Sequence, residues 1–485
     1  MGTYSVTILA NSLDTATQLR GMGLDLHERA ARRRRDTGDI AVPAILDDEG
    51  IQRVQAAGYR LEIGQDLEQV AIARAGKIDT RANRFAPSAR TDERAGADAD
   101  AVAPALRTLE VLVDLADLRG ASAAAAARSV LGGYLTPTEV ETALTTLAAA
   151  HPGIASVTAL PERSWENRTT HVLQIRAGSP SPRVGVLVTG SMHAREWGGS
   201  DICIAFATNL LKSYAAGAPL QYGGKTFTAA QIKSMLERLD LFVFADVNPD
   251  GKTFSQTNDP TGGGPQNIWW RKNRNPNTGL GGPKGVDVNR NFNFLWSSGI
   301  GTSSDPSSFT YKGQAAFSEP ETRNVRWLLD TFGHIAYYVD VHSHGELILF
   351  SWGDDENQTS SSAQNFLNPA FDGLRGQVGD TAYREFIPSG DQTSLRGLAR
   401  SMNASLRAVR GRSYMVQQAV GLYATSGTSD DYAFSRHRVN PALSNVRGFT
   451  IEFGREFVPP YAEMQKIMAD VAAALTRLCQ HVTGV

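Results

Sequence analysis

The stretch Val184–Trp197 reads VGVLVTGSMHAREW: an apolar, β-branched run ends at Gly190 and Ser191, and His193-Ala-Arg-Glu196 follows at once. A short apolar run of this kind specifies a strand covered on both faces, and such strands belong to α/β sheets. In sheets of that class, ligands sit where the strands end. His193 and Glu196 are spaced i and i+3, so one helical turn or one tight loop can aim both side chains at a single point. An imidazole nitrogen and a carboxylate oxygen are both zinc ligands. By itself the pair is no more than a first-turn glutamate beside an unrelated histidine.

A second stretch gives the pair its meaning. Ile335–His344, IAYYVDVHSH, is another apolar strand, ending in Asp340-Val-His342. A catalytic zinc takes three protein ligands and keeps one position open, and His193, Glu196 and His342 meet that count. The long gap between Glu196 and His342 excludes a zinc finger. It suits an enzyme that collects its ligands from separate strand ends.

Composition narrows the field. The 485 residues are enough for two or three domains, and 41% hydrophobic residues can fill a core. A net charge of -2 argues against a nucleic-acid partner. No apolar run is long enough for a membrane span. The opening MGTYSVTILA lacks the basic and long apolar parts of a signal peptide. Cys203 and Cys479 each fall in an apolar helical run, which predicts buried free thiols.

Taken in order, residues 1–80 form a small separate unit. Strands are expected over Tyr4–Leu9, Ile40–Leu46 and Tyr59–Ile63, with helices over Leu13–Gly23 and Asp48–Ala57, an alternation that suits a ferredoxin-like α+β domain. Arg32–Arg35 reads as a solvated helix face or loop. Residues 81–131 connect this unit to the rest. The part from Ala82 to Ala105 is polar, alanine- and arginine-rich and exposed to cleavage. Residues 132–485 alternate strands and helices, predicting a mixed central β-sheet flanked by helices. Thr136-Pro-Thr-Glu139 opens a helix over Thr138–His151, Ala155–Leu160 pairs with His171–Arg176, and Trp197–Tyr214 is helical. Leu239–Val247 is a buried strand, and Asn248-Pro-Asp-Gly251 reads as a turn. Phe449–Phe453 is the last strand and Pro460–His481 a closing helix.

Further polar groups stand at strand ends or in long loops. They are Arg271 in the glycine-rich loop Gly262–Gly282, Asn289 and Arg290 in Val286-Asp-Val-Asn-Arg-Asn, Tyr423, and Glu452 in the strand FTIEFG. A carboxylate among apolar neighbours needs a partner such as Arg455, or works as a general base beside a metal. Two arginines can serve two anions, a fixed carboxylate and a developing oxyanion.

Together these motifs resemble the zinc metallocarboxypeptidase family of the pancreatic carboxypeptidase A/B type, in particular its bacterial secreted members, over about Gly132 to Val485. The resemblance implies one Zn²⁺ held by His193, Glu196 and His342, with Glu452 as the catalytic glutamate and Arg271 polarising the scissile carbonyl. It implies that Asn289 and Arg290 bind the substrate's terminal carboxylate, that Tyr423 closes over the substrate and that Arg195 serves an outer subsite. Asp430, seven residues after Tyr423, matches the base of the pocket for the last side chain and implies a preference for, or inclusion of, Lys and Arg. His344 departs from the pattern, standing where animal members carry a tyrosine. On this reading the partners are peptide and protein C-termini and an activating protease, with no nucleic acid and no membrane. Residues 1–80 are then a propeptide, or else a permanent accessory domain, and the protein is secreted. The same fold also admits an amidase of cell-wall peptides, a glutamate-chain trimming enzyme or an inactive binding module.

Overall fold

The computed structural model describes residues 2–27, 31–75, 133–179, 182–256, 264–276, 285–421 and 423–485. The connecting segment 81–131 lies outside them, as does Leu422.

In the N-terminal unit, Thr3–Ala10 lies between Ile40–Asp47 and Arg60–Asp66, antiparallel to both, and Asp25–Leu26 pairs with the far edge of Ile40–Asp47. Helices Leu13–Gln18, Asp48–Ala56 and Leu67–Ala75 complete it. Ser12 and Thr15 form a reciprocal cap on the first, and the Asp47 carboxylate caps the second through Gly50 N–H. Val6, Ile8, Leu19, Ile40, Val42 and Val54 are buried between sheet and helices; each fully buried side chain of this size contributes about 2 kcal/mol. Arg32–Arg33 is a short exposed strand on the edge of Ile40–Asp47, not a helix face or free loop. Its residues remain solvated as expected.

The larger unit is built on an eight-stranded sheet. Its order is Met415–Gln418, Leu347–Phe350, Arg447–Phe453, Ile335–Ser343, Val184–Gly190, Leu239–Phe244, His171–Ile175, Ala155–Ala159. The four central strands from Arg447–Phe453 to Leu239–Phe244 are parallel to one another, and the hairpin at the far edge is antiparallel. Helices cover the sheet: Pro137–Ala150, Gly198–Ala216, Ala229–Arg238, Pro320–Thr331, Ser389–Arg410, Ser429–Val439 and Tyr461–Val482. Burial on both faces explains the continuous apolar reading of Val184–Gly190 and Leu239–Phe244. Thr136 and Glu139 cap the helix Pro137–Ala150 with Pro at its first position, as the sequence signalled.

Asn248–Gly251 departs from expectation. Instead of making a turn, Pro249 opens the helix Pro249–Gln256, and the Asn248 side chain accepts from Gly251 N–H at 3.0 Å. The turn-forming chemistry of Asn and Pro is also that of a helix start. Cys203 and Cys479 are buried free thiols. Among the described residues no helix is long and apolar enough to cross a membrane.

Candidate metal centre and substrate cleft

Val184–Gly190 delivers the chain into a tight loop over 191–197, and the helix Gly198–Ala216 starts directly beyond it. The return is so close that a Cβ on Gly190 would stand 2.8 Å from Gly199 O, and one on Gly199 would stand 2.6 Å from Ser191 N. Only glycine fits there. This fold-back aims His193 and Glu196 over the end of the sheet. His342 comes from the next strand, where Val341 is in register with Gly190 and His342 with Glu452. Paired residues of parallel strands project to the same face, so His342 and Glu452 rise side by side.

His193, Glu196 and His342 converge. His193 Nδ1 lies 2.8 Å from Glu196 Oε1, His342 Nδ1 lies 2.9 Å from Glu196 Oε2, and the two Nδ1 atoms are 3.1 Å apart. All three residues are buried. Behind the rings, His342 Nε2 meets Asp340 Oδ2 at 2.8 Å, and Asp287 Oδ1 stands 3.2 Å from His193 Nε2. Asp340 thereby orients the His342 ring, and Nδ1 of both histidines faces one spot beside the Glu196 carboxylate. Two lone pairs at 3.1 Å repel unless a cation lies between them, so the donor set fits a metal ion. The charges agree. Although burial opposes it, Asp340 and Glu196 push the pKa of His342 well above its ordinary value, and His193 and His342 hold the Glu196 carboxyl well below the usual range. Burial, then Arg271, lower the pKa of His193.

The rest of the cleft is organised on Asp287. Burial works against its charge, yet Arg271 and His193 hold its carboxyl well below the carboxylate range. Arg271 donates to Asp287 Oδ2 through Nε at 3.1 Å and Nη2 at 2.9 Å. The Asp287 side chain also caps the short turn Val288–Arg290 through Asn289 N–H. Arg290 is fixed by the carbonyls of Gly301, 3.1 Å from Nε, and Asn289, 2.8 Å from Nη1. Asn289 Oδ1 accepts from Ser429 N–H at 2.8 Å, tying this turn to the start of the helix Ser429–Val439. Gly427 sits at φ +68°, and a Cβ there would be 2.3 Å from Arg290 O. One cavity of about 750 Å³ is lined by His193, Glu196, Arg271, Asn289, Arg290 and Glu452, with His342 beside it behind Glu196.

A zinc carboxypeptidase family pattern matches residues 140–474. The chain belongs to the zinc carboxypeptidase family. It is 28% identical to carboxypeptidase B of Astacus astacus over 61% of this chain and 80% of that one. It is 31% identical to carboxypeptidase A2 of Rattus norvegicus, over 48% and 51%, and 30% identical to metallocarboxypeptidase A of Trichophyton tonsurans, over 60% and 59%. It thus spans little more than half the length of the latter two relatives. The crystal structure of carboxypeptidase A from Helicoverpa armigera shares the fold with a TM-score of 0.66 at 19% identity, over 100% of this chain and 98% of that one. That of thrombin activatable fibrinolysis inhibitor does so at 0.65 and 16%, over the whole of both chains. Members of this family are zinc enzymes, and the His193, Glu196 and His342 group is the one that would hold the ion, which would supply Lewis acidity there.

Three residues expected in the site do not line the cavity. Arg195 is 1% exposed, just behind its wall. Tyr423 is buried among the N-terminal unit's core residues, its hydroxyl donating to Ala16 O at 3.2 Å. Asp430 is fully buried, its carboxylate accepting from Thr450 Oγ1 at 2.8 Å and from Asp431 N–H at 3.0 Å. Arg455 does not pair with Glu452; its Nε donates to Glu346 at 2.9 Å.

Sequence reading gave no role to Asp287 and Asp340. The signal for Asp340 was present: in a strand, residues two apart share a face, so Asp340-Val-His342 puts the carboxylate behind the imidazole. Asp340→Asn is expected to weaken zinc affinity about 10- to 100-fold, measured by competition with a chromophoric chelator. Unchanged affinity would mean that Asp340 does not orient His342.

Proposed function

We propose that this protein is a carboxypeptidase that hydrolyses the C-terminal peptide bond of peptides and proteins, accepting basic last residues. The observation that carries the reading is the convergence of Glu452, Arg271, Asn289 and Arg290 on one cavity beside the His193, Glu196 and His342 group. Arg290 and Asn289 would hold the substrate's free carboxylate, which restricts cleavage to the last bond. Glu452 would take a proton from the attacking water and pass it to the leaving amine. Arg271, poised by Asp287, would stabilise the oxyanion.

The basic preference rests on the family resemblance, since Asp430 itself lies outside the cavity lining. That residue is a buried carboxylate seven residues beyond Tyr423, at the position that the family resemblance gives to the base of the pocket. The N-terminal unit reads as an inhibitory propeptide, since Arg20, Leu24, Asp25 and His27 line the same cavity as the metal ligands. An activating protease would then cut between the two units. Export from the cell follows from the resemblance to secreted members.

The test follows release of the last residue from matched peptides ending in Arg, Lys, Phe, Leu or Glu, with and without a chelator. Chelator-sensitive release is expected, favouring Arg and Lys about tenfold or more, with the advantage lost in Asp430→Ala. Equal release of Phe and Leu by the parent protein would contradict the pocket assignment, and chelator-insensitive release would contradict the reaction.

A further inference from the structure

Two loops carry His193, Glu196 and Arg271. Residues 191–197 hold the first two and residues 264–276 hold the third. The loops touch directly, Ala194 N–H donating to Arg271 O at 2.9 Å. Both also rest on one helix, Pro249–Gln256.

Asn248, at the start of that helix, is fully buried. Its Oδ1 accepts from Gly251 N–H at 3.0 Å, which turns both amide hydrogens the other way. There Nδ2 donates to Met192 O at 3.1 Å and to Lys272 O at 3.2 Å. One carbonyl immediately precedes His193 and the other immediately follows Arg271. Ser255 repeats the pattern seven residues on, two helical turns away on the same face. Its Oγ accepts from Trp197 Nε1 at 2.8 Å and donates to Ile268 O at 3.0 Å. Trp197 follows Glu196, and Ile268 lies in the approach to Arg271. Between the two bridges, Lys252 Nζ donates to Ser200 Oγ, in the first turn of the helix behind the metal loop.

The contact is close: a Cβ on Gly251 would stand 2.5 Å from Lys272 O. Both bridging side chains are buried, so water does not replace a bond that is lost. Asp287 fixes the direction of the Arg271 guanidinium from a third loop, whereas Asn248 and Ser255 fix where the Arg271 backbone stands relative to His193 and Glu196. That separation matters because the oxyanion forms beside the metal group, and a displacement of about 1 Å costs on the order of 100-fold in rate.

We propose that Asn248 and Ser255 are positioning residues of the hydrolytic reaction, holding the Arg271 loop at a fixed distance from the His193–Glu196 loop so that the guanidinium meets the developing oxyanion. The inference rests on the carboxypeptidase reading above and adds to it two residues that lie outside the cavity lining.

The test is a double-mutant cycle in the full chain, cut between its two units and diluted, with one peptide ending in Arg as substrate. Asn248→Ala is expected to lower kcat about 10- to 100-fold and Ser255→Ala about 3- to 10-fold. KM should stay within about twofold, because Asn289 and Arg290 are untouched. Ser255→Thr, which keeps the hydroxyl, should restore most of the rate. In an Arg271→Gln background each substitution should cost less than about twofold, since the group being positioned is gone. A substitution that only weakened the fold would cost the same factor in both backgrounds, and that result overturns the proposal. A loss carried by KM alone, or parental kcat in both variants, overturns it too. If Asn248→Ala does not fold, Ser255→Ala and Ser255→Thr decide by the same criteria. A parent that releases nothing from the peptide would refute the carboxypeptidase reading and the inference with it. An active parent with equal losses in both backgrounds would refute the inference alone.

Discussion

Glu452→Gln should lower kcat for release of a C-terminal residue by about 10²- to 10⁴-fold while leaving the zinc content of the protein unchanged. The amide keeps the shape of the side chain and loses the basic oxygen. Glu452 stands in register with His342 on the adjacent parallel strand and lines the cavity without belonging to the ligand group. Its loss therefore removes proton transfer and spares metal binding. Steady-state rates on one good peptide, paired with metal analysis of the same preparation, check both halves. A variant with near-parental kcat would assign the base elsewhere. A variant without zinc would make Glu452 part of the metal site, against the geometry.

Cutting the chain between the units, followed by dilution, is expected to raise activity as the N-terminal unit dissociates. Asp25→Ala should shift that rise to higher protein concentration by on the order of 100-fold or more, because removing one partner of a buried ion pair costs about 3–5 kcal/mol. Arg195 then keeps its place against Phe457 with no carboxylate to face. Other contacts remain to hold the unit: Arg20 Nη2 donates to Ala424 O at 2.9 Å, and Arg74 Nε to Val458 O at 3.0 Å. The variant should therefore bind weakly, not fail to bind. Peptide turnover measured across a dilution series of the nicked protein reads the effect directly. Superimposable curves for parent and variant would show that the Asp25–Arg195 pair contributes nothing to docking.

The sequence exposed the central strands because burial on both faces leaves continuous apolar runs. It exposed the metal ligands because each closes such a run: His193 and Glu196 follow Val184–Gly190, and His342 ends the apolar part of Ile335–Ser343. Helix ends were legible where capping residues stood at the right spacing, as with Thr136 and Glu139. Asn248-Pro-Asp-Gly misled because turn and helix-start chemistry coincide, and only the following residues, packed against the fold, decide between them. Asp287 escaped because its partners, Arg271 and His193, lie in other loops and no local period links them. The burial of Tyr423 in the N-terminal unit's core and the Asp25–Arg195 pair were beyond sequence reasoning for the same cause: both join residues from separate units.

On the proposed reading the protein cuts only the last peptide bond, anchored on a free carboxylate. One measurement tests it most directly: mass spectrometry of a peptide digested as its free acid and as its C-terminal amide. Stepwise loss of single residues is expected from the acid, with a rate on the amide lower by about two orders of magnitude or more, since the amide offers the Arg290 guanidinium no negative charge. Equal cleavage of both forms, or fragments from internal bonds, would contradict it.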